Sequence, residues 1–396
     1  MDANEICELL PRFDCGLCKN PRCMTLARKI LLQTQKPTGC QFLIQENLKK
    51  IEELLPEREV KRKHPHPNVD ESIIEITPCT EDGYVTLEVQ LKSKSKNQDL
   101  FGDFFDQHQL CISLSEVEMF NKMNCSSKMG YALAETEGKR IHIFKTGKII
   151  LRRADDREDA LSSLAKVSKL LMPARICSCS NSLVDCFGGS CENCNEDVCT
   201  ALIDALEVKE DYDEGGYTVR EILREVDEKD HDKLTLNFKL LGDIMDEIRK
   251  MDRDIKNGEL EDKDIYKDKI DKVIVEHKNS CTNIFLGETD VTNIIAALTQ
   301  YGLARDLLRA ADGLLALDTK ADDELYNKAT KLLFDAYSAF EKRDMKDSLA
   351  LGERFQEFNS AWKKETSPWG IAKVAANGFY ISRILGKPVL RLEHLK

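Results

Sequence analysis

The stretch IHIFKTGKIILRRADDREDALSSLAKVSKLLMP, residues 141–173, changes its apolar period partway along. Ile141 to Lys145 and Lys148 to Arg152 read as two strands around Thr146-Gly147, a hairpin turn in which Gly accepts a positive φ. Asp155 and Glu158 then have capping-box spacing, and Ala160, Leu161, Leu164, Val167 and Leu171 form a helical stripe that Pro173 stops. The order is strand, turn, strand, helix. Upstream, Val85, Leu87, Val89 and Leu91 alternate with Thr86, Glu88 and Gln90, the period of a half-buried strand. His142, between Ile141 and Ile143, reads as a strand-face residue rather than a base.

Downstream, the period is helical. Leu234, Phe238, Leu241, Met245, Ile248, Met251 and Ile255 repeat at 3–4 spacing up to Asn257-Gly258. Three further stripes follow: Ile294 to Leu315; Leu325 to Phe340; and Leu349, Phe355, Phe358 and Trp362. Ser367-Pro368 opens a last helix and Gly386 with Pro388 closes it. The charged run Glu259 to Asp271 reads as a solvated face or loop. The fold class is therefore α+β: an N-terminal helical cluster domain (1–56), a linker (57–69), a small antiparallel sheet with a packed helix (70–176), a second Cys-rich metal-binding segment (177–200) and a C-terminal helical bundle (201–396). The strand–strand–helix order resembles one half of the TATA-binding-protein fold, which implies a helix packed on an antiparallel sheet.

The chain has 396 residues with a net charge of −12, a field that repels nucleic acid and anionic lipid. No run is long and apolar enough to span a bilayer, and the N-terminus lacks the basic flank of a secretory signal, so the expectation is a cytoplasmic protein with no membrane span. In such a reducing compartment a disulfide framework is not expected, and the 15 cysteines point to metal or redox chemistry. Ten of them fall in two short windows. The others are Cys7 and Cys79, Cys111, Cys125 and Cys281, the last four read as small apolar fillers. His64 and His66 lie in the basic, proline-containing stretch Arg58 to Pro67, read as a solvated hinge.

The first window, Cys15, Cys18, Cys23 and Cys40, has the form C-x2-C-x4-C-x16-C. One loop and one returning segment can thereby clasp a cubane whose irons each take one thiolate. Gly16 permits the tight turn between Cys15 and Cys18, Pro21 suits the first turn of a helix, and Cys23 stands at a helix start whose free N–H groups favour an anion. The second window holds Cys177, Cys179, Cys186, Cys191, Cys194 and Cys199. Its C-x2-C-x4-C portion, Cys191 to Cys199, repeats the first spacing before the apparently helical Ala201 to Leu206. A second iron–sulfur cluster or zinc fits it.

Cys15-Gly16-x-Cys18, Cys23-Met24-x-x-Ala27 and Cys40 resemble the four-iron four-sulfur domain family found in the large subunit of the corrinoid iron–sulfur protein and in an Rnf-type electron-transport subunit. The resemblance covers about residues 8 to 45 and implies that all four cysteines are [4Fe–4S] ligands. Lys19 stands where a second Gly is usual, and Gln41 where Pro is usual. Through the resemblance, the expected role is electron transfer to a protein redox partner in anaerobic, one-carbon or corrinoid-linked metabolism, with the helical region supplying the docking surface.

No nucleotide-binding, zinc-protease or serine-hydrolase motif is present, so an electron-transfer or accessory protein is expected rather than an autonomous enzyme. The alternatives are a cluster or metal scaffold or maturation factor, and a zinc-stabilised interaction module. The basic hairpin of Lys139, Arg140, Lys145, Lys148, Arg152 and Arg153 reads as solvated or as a dock for an acidic partner.

Overall fold

A computed structural model describes residues 3–55, 73–78, 83–91, 103–177, 180–190, 218–229, 231–260, 262–288, 290–317, 324–362 and 368–387. The linker with His64 and His66, Cys79, the helix expected from Ala201 and four cysteines of the second window lie outside these residues. The α+β reading holds. An antiparallel sheet runs β1 (Ile73–Pro78), β2 (Val85–Gln90), β3 (Lys122–Ser126), β4 (Tyr131–Thr136), β5 (Lys139–Phe144) and β6 (Lys148–Ala154), in the spatial order β1-β2-β6-β5-β4-β3.

The expected hairpin is β5–β6, with Ile141 opposite Leu151 and Ile143 opposite Ile149. Gly147 turns it at φ +85°, and a Cβ there would sit 2.9 Å from the Leu91 carbonyl oxygen. Leu87, Val89, Ile141, Ile143, Ile149 and Leu151 are fully buried because the two-residue period puts them on one face. Against that face pack α4 (Gln107–Leu114), over β3 and β4, and α5 (Arg157–Leu171), over β2 and β6. The α5 cap lies one residue later than its sequence spacing predicts. Asp156 accepts from the Asp159 N–H at 2.8 Å, and Asp159 accepts in return from the Asp155 N–H.

Cys111 and Cys125 form a disulfide joining α4 to β3, which corrects both their reading as fillers and the expectation that the chain holds no such bond. The bridge requires folding to bring residues 14 apart in sequence to one edge of the sheet, which neither spacing nor compartment signals. Cys281 is buried as read.

The amino-terminal segment contributes α1 (Ala3–Leu9), α2 (Cys23–Leu31) and α3 (Gln45–Leu54), packed through Ile6, Leu10, Leu26, Ala27, Ile30 and Ile51. The carboxy-terminal region contributes α6 (Val219–Lys229), α7 (Asp232–Asn257), α8 (Lys263–Gly287), α9 (Val291–Leu315), α10 (Glu324–Glu341), α11 (Met345–Ala361) and α12 (Trp369–Arg383). Gly258 ends α7 at φ +72°, as its position predicts. Of the two readings of the charged run, the solvated face holds from Lys263 on: Asp264, Lys267, Asp268 and Lys269 are exposed on the first turns of α8, which Asp262 caps and buried Tyr266 and Ile270 anchor. Leu349 is 70% exposed and leaves the α11 stripe, and α12 takes Pro368 as its N-cap.

Helix α12 is the centre of the bundle, packing on α9, α10 and α11. It crosses α9 backbone to backbone: a Cβ on Gly370 would lie 2.3 Å from the Gly313 carbonyl oxygen. Only two glycines allow that approach.

Candidate metal centre

The first cysteine window is a loop pinned to α12. Gly16 has φ +80°, and a Cβ there would fall 2.6 Å from the Ala376 Cβ and 3.1 Å from the Tyr380 hydroxyl. That hydroxyl donates to the Gly16 carbonyl at 2.9 Å, deep in the interior. The Lys19 N–H closes the turn on the same carbonyl, also at 2.9 Å. Lys19 itself has φ +62°, so the position where glycine is usual keeps a left-handed backbone despite the change of residue.

Cys23 opens α2 as the spacing predicts, while Pro21 stands just before the helix rather than in its first turn. The helix terminus differs from expectation in one respect. The Cys23 N–H donates to Asp14 Oδ1 at 2.6 Å, so its first donor serves a carboxylate of the protein. Cys40 follows the short turn Pro37–Gly39, with its N–H on the Pro37 carbonyl at 3.1 Å. The Asn20 amide lies 3.4 Å from Cys18 Sγ and 3.0 Å from the Cys18 carbonyl, and Gln35 donates to that carbonyl at 3.0 Å.

Burial raises the thiols of Cys15, Cys18 and Cys23, Cys15 to about 12, because it penalises the thiolate. Cys18 and Cys40 add to the effect on Cys15, and Asp14, Cys18 and Cys15 add to that on Cys23. Cys18 is also raised by burial, which Asn20 partly offsets. Metal binding here must displace protons. The N–H groups of Leu17 and Asn20, which favour the charged forms of Cys15 and Cys18, are the donors that cluster-ligating sulfurs use. Among the described residues no three His, Cys, Asp or Glu side chains are grouped so as to hold a metal ion. Four cysteines with N–H donors beside two of them match the donor chemistry of an iron–sulfur cluster.

Sequence reading missed Cys7, which packs in the same small core as Cys18, Cys23 and Cys40 and is raised to about 11 by burial and Asp14. Its place before the window, outside any ligand spacing, gave no signal. Aromatic rings rim the loop: Phe13 stacks on Trp369 at 5.7 Å and 8°, and Phe42 meets Phe13 at 5.4 Å and Trp362 at 6.3 Å.

A buried charge seam connects this loop to the second window. Arg22 reaches Asp185 at 2.8 Å and Asp106 at 2.5 Å; Arg28 reaches Asp106 at 3.0 Å; Arg309 reaches Asp185 at 2.8 Å and Asp306 at 3.1 Å. Burial would push Asp185 up, but Arg22, Arg305 and Arg309 outweigh it and hold the carboxyl well below its usual range. Asp106, the α4 N-cap, is likewise held low by Arg22 and Arg28 against its burial. Asp306 goes the other way: burial raises it to about 8, because Arg309 is shared with Asp185 and Asp306 Oδ2 has no hydrogen-bond partner.

In the second window Cys177 and Cys186 are buried, while Cys179, Cys191, Cys194 and Cys199 lie outside the described residues. The Lys387 ammonium stands 2.8 Å from Cys186 Sγ and 5.5 Å from the Phe187 ring. A Cβ on Gly189, at φ +84°, would collide with the Tyr380 carbonyl oxygen. Tyr380 therefore touches the first window with its hydroxyl and the second with its backbone.

His142 is a strand residue, its Nδ1 2.8 Å from the Tyr131 hydroxyl and its pKa lowered by burial and by Arg152 and Arg140. The basic hairpin is largely neutralised from within: Lys139 pairs with Asp159, Arg140 with Glu135, Lys145 with Asp103 and Lys148 with Glu88.

Residues 10–42 match the family model described as "Putative Fe-S cluster". The matched segment contains Cys15, Cys18, Cys23 and Cys40, and it supports iron–sulfur binding by this chain. No curated protein and no solved structure matches it. Among the described residues no helix is long and apolar enough to cross a membrane.

Proposed function

We propose that Cys15, Cys18, Cys23 and Cys40 hold a [4Fe–4S] cluster and that the protein passes single electrons to a protein partner. The observation that carries this reading is a matched iron–sulfur segment that contains all four cysteines, with N–H donors beside Cys15 and Cys18. The bound cluster would supply one-electron storage. Tyr380 and the left-handed turn at Gly16 fix the loop, and α2 excludes water behind Cys23. Asp14 and burial both oppose added negative charge, which favours a low potential.

Cys177, Cys179, Cys186, Cys191, Cys194 and Cys199 supply a second thiolate centre in this proposal, with the Lys387 ammonium favouring the charged form of Cys186. The contact of both windows with Tyr380 supports electron passage between the two centres. The resemblance of the first window to corrinoid-linked and Rnf-type proteins makes anaerobic one-carbon metabolism, in the cytoplasm, the setting.

Oxygen-free purification with iron, sulfide and zinc analysis, followed by EPR after dithionite, tests the reading. Equal iron and sulfide with a reducible signal, both lowered by the share of one cluster in Cys18→Ala and Cys23→Ala, is the expected outcome. Zinc in place of iron would establish the zinc-stabilised interaction module instead. Loss of the cluster to an apo-acceptor without redox turnover would establish the scaffold or maturation role.

A further inference from the structure

We infer that the cluster loop itself, and not the helical bundle, is the docking face, and that its occupant is an acidic electron-carrier protein; the inference rests on the reading above. Charge is the first ground. Residues 10–42 carry six Lys or Arg and one Asp in a chain whose net charge is −12. Two of the six, Arg22 and Arg28, are consumed by the buried seam. Asp14, the one acid, is turned inward onto the Cys23 N–H. Arg12, Lys19 and Lys36 are exposed and Lys29 is half-buried.

Placement is the second ground. These basic residues share the segment with Cys18 and Cys40, which are half-buried where Cys15 and Cys23 are buried. Lys19 follows Cys18 directly in the chain. Lys36 adjoins Gln35, whose amide bonds the Cys18 carbonyl, and its own carbonyl accepts from Gly39 beside Cys40. Phe13, 37% exposed, and Ile44, 56% exposed, supply apolar contact on the same segment. Exposed basic and apolar side chains on one segment, beside two half-buried cysteines, have the composition of a short-lived redox interface, where charge steers the encounter. The alternative basic surface, the β5–β6 hairpin, is already paired internally.

The test compares cluster-loaded wild type, the double variant Lys29→Glu/Lys36→Glu, and Lys239→Glu/Lys331→Glu, an equal charge change on the bundle. Stopped-flow reduction by an acidic ferredoxin is followed across ionic strength, with reduced methyl viologen as the small-molecule control. The cluster-loop variant is expected to lose about tenfold or more in rate at low salt and to converge on wild type at high salt. The bundle variant and the viologen rates stay near wild type. Iron-loaded cluster-loop variant reduced at the wild-type rate would overturn the docking face while leaving the cluster in place. So would ferredoxin-insensitive protein that binds single-stranded DNA through the same lysines. Protein without iron and sulfide would remove the cluster reading and this proposal with it.

Discussion

Arg22 and Asp185 meet at 2.8 Å in the interior, their side chains 6% and 0% exposed, across 163 residues of sequence. The pair ties the residue before Cys23 to the residue before Cys186. With Tyr380, it gives the two cysteine windows a direct mechanical link.

Removing the charge of Asp185 leaves Arg22, Arg305 and Arg309 buried without their common anion. Asp185→Asn should cost about 3–5 kcal/mol, the range seen when one member of a buried ion pair is lost. Urea unfolding of the anaerobic protein measures it. A loss below 1 kcal/mol would show that the seam is not held by that carboxylate.

His277 on α8 is fully buried, and burial alone drives its imidazole down to about 3. The unfolded chain takes up this proton near pH 6.5 and the native chain does not. Stability from this residue is thus complete above about pH 6.5 and is lost as the pH falls toward 3, by up to about 1.4 kcal/mol per pH unit. His277→Phe should flatten the decline in melting temperature between pH 6 and 4. An unchanged slope would mean that other groups govern it.

Gly16→Ala puts a methyl group against Ala376 at a backbone angle that favours glycine. Tyr380→Phe removes only the hydroxyl and leaves the Gly16 carbonyl without that donor. The first should lower iron content. The second should retain iron and cost roughly 1–3 kcal/mol. Iron analysis beside thermal melts separates the two, and equal iron loss in both would contradict the division of roles.

Mass spectrometry after alkylation, with and without dithiothreitol, should show Cys111 and Cys125 protected until reduced. A loop of this size predicts that Cys111→Ser/Cys125→Ser costs about 2–4 kcal/mol. Labelling of both thiols in unreduced native protein would argue against the bond.

The elements legible in the sequence were those with a clean period and a glycine stop, namely β2, the β5–β6 hairpin and α7 ending at Gly258. Helix α8 was hidden because Lys263, Asp264, Lys267, Asp268 and Lys269 crowd its first turns and only Tyr266 and Ile270 anchor them. Helix α4 is short and buries Gln107 and Gln109, so its pattern carried no stripe. At the site, spacing marked out the segment that the iron–sulfur family model matches. What surrounds its cysteines was not legible: Asp14 on the Cys23 N–H, Tyr380 on Gly16 and Asp185 on Arg22 are contacts made by folding, with no local pattern to announce them. The bridge between Cys111 and Cys125 was missed for the same reason, and an argument from compartment pointed the other way.

Both tryptophans of the chain stand at the loop, Trp369 stacked on Phe13 and Trp362 edge-on to Phe42. The protein thus carries a built-in optical probe. Indole emission has no other source in this chain, so filling or emptying of the neighbouring thiol pocket should be readable as quenching or recovery of native fluorescence, without any label.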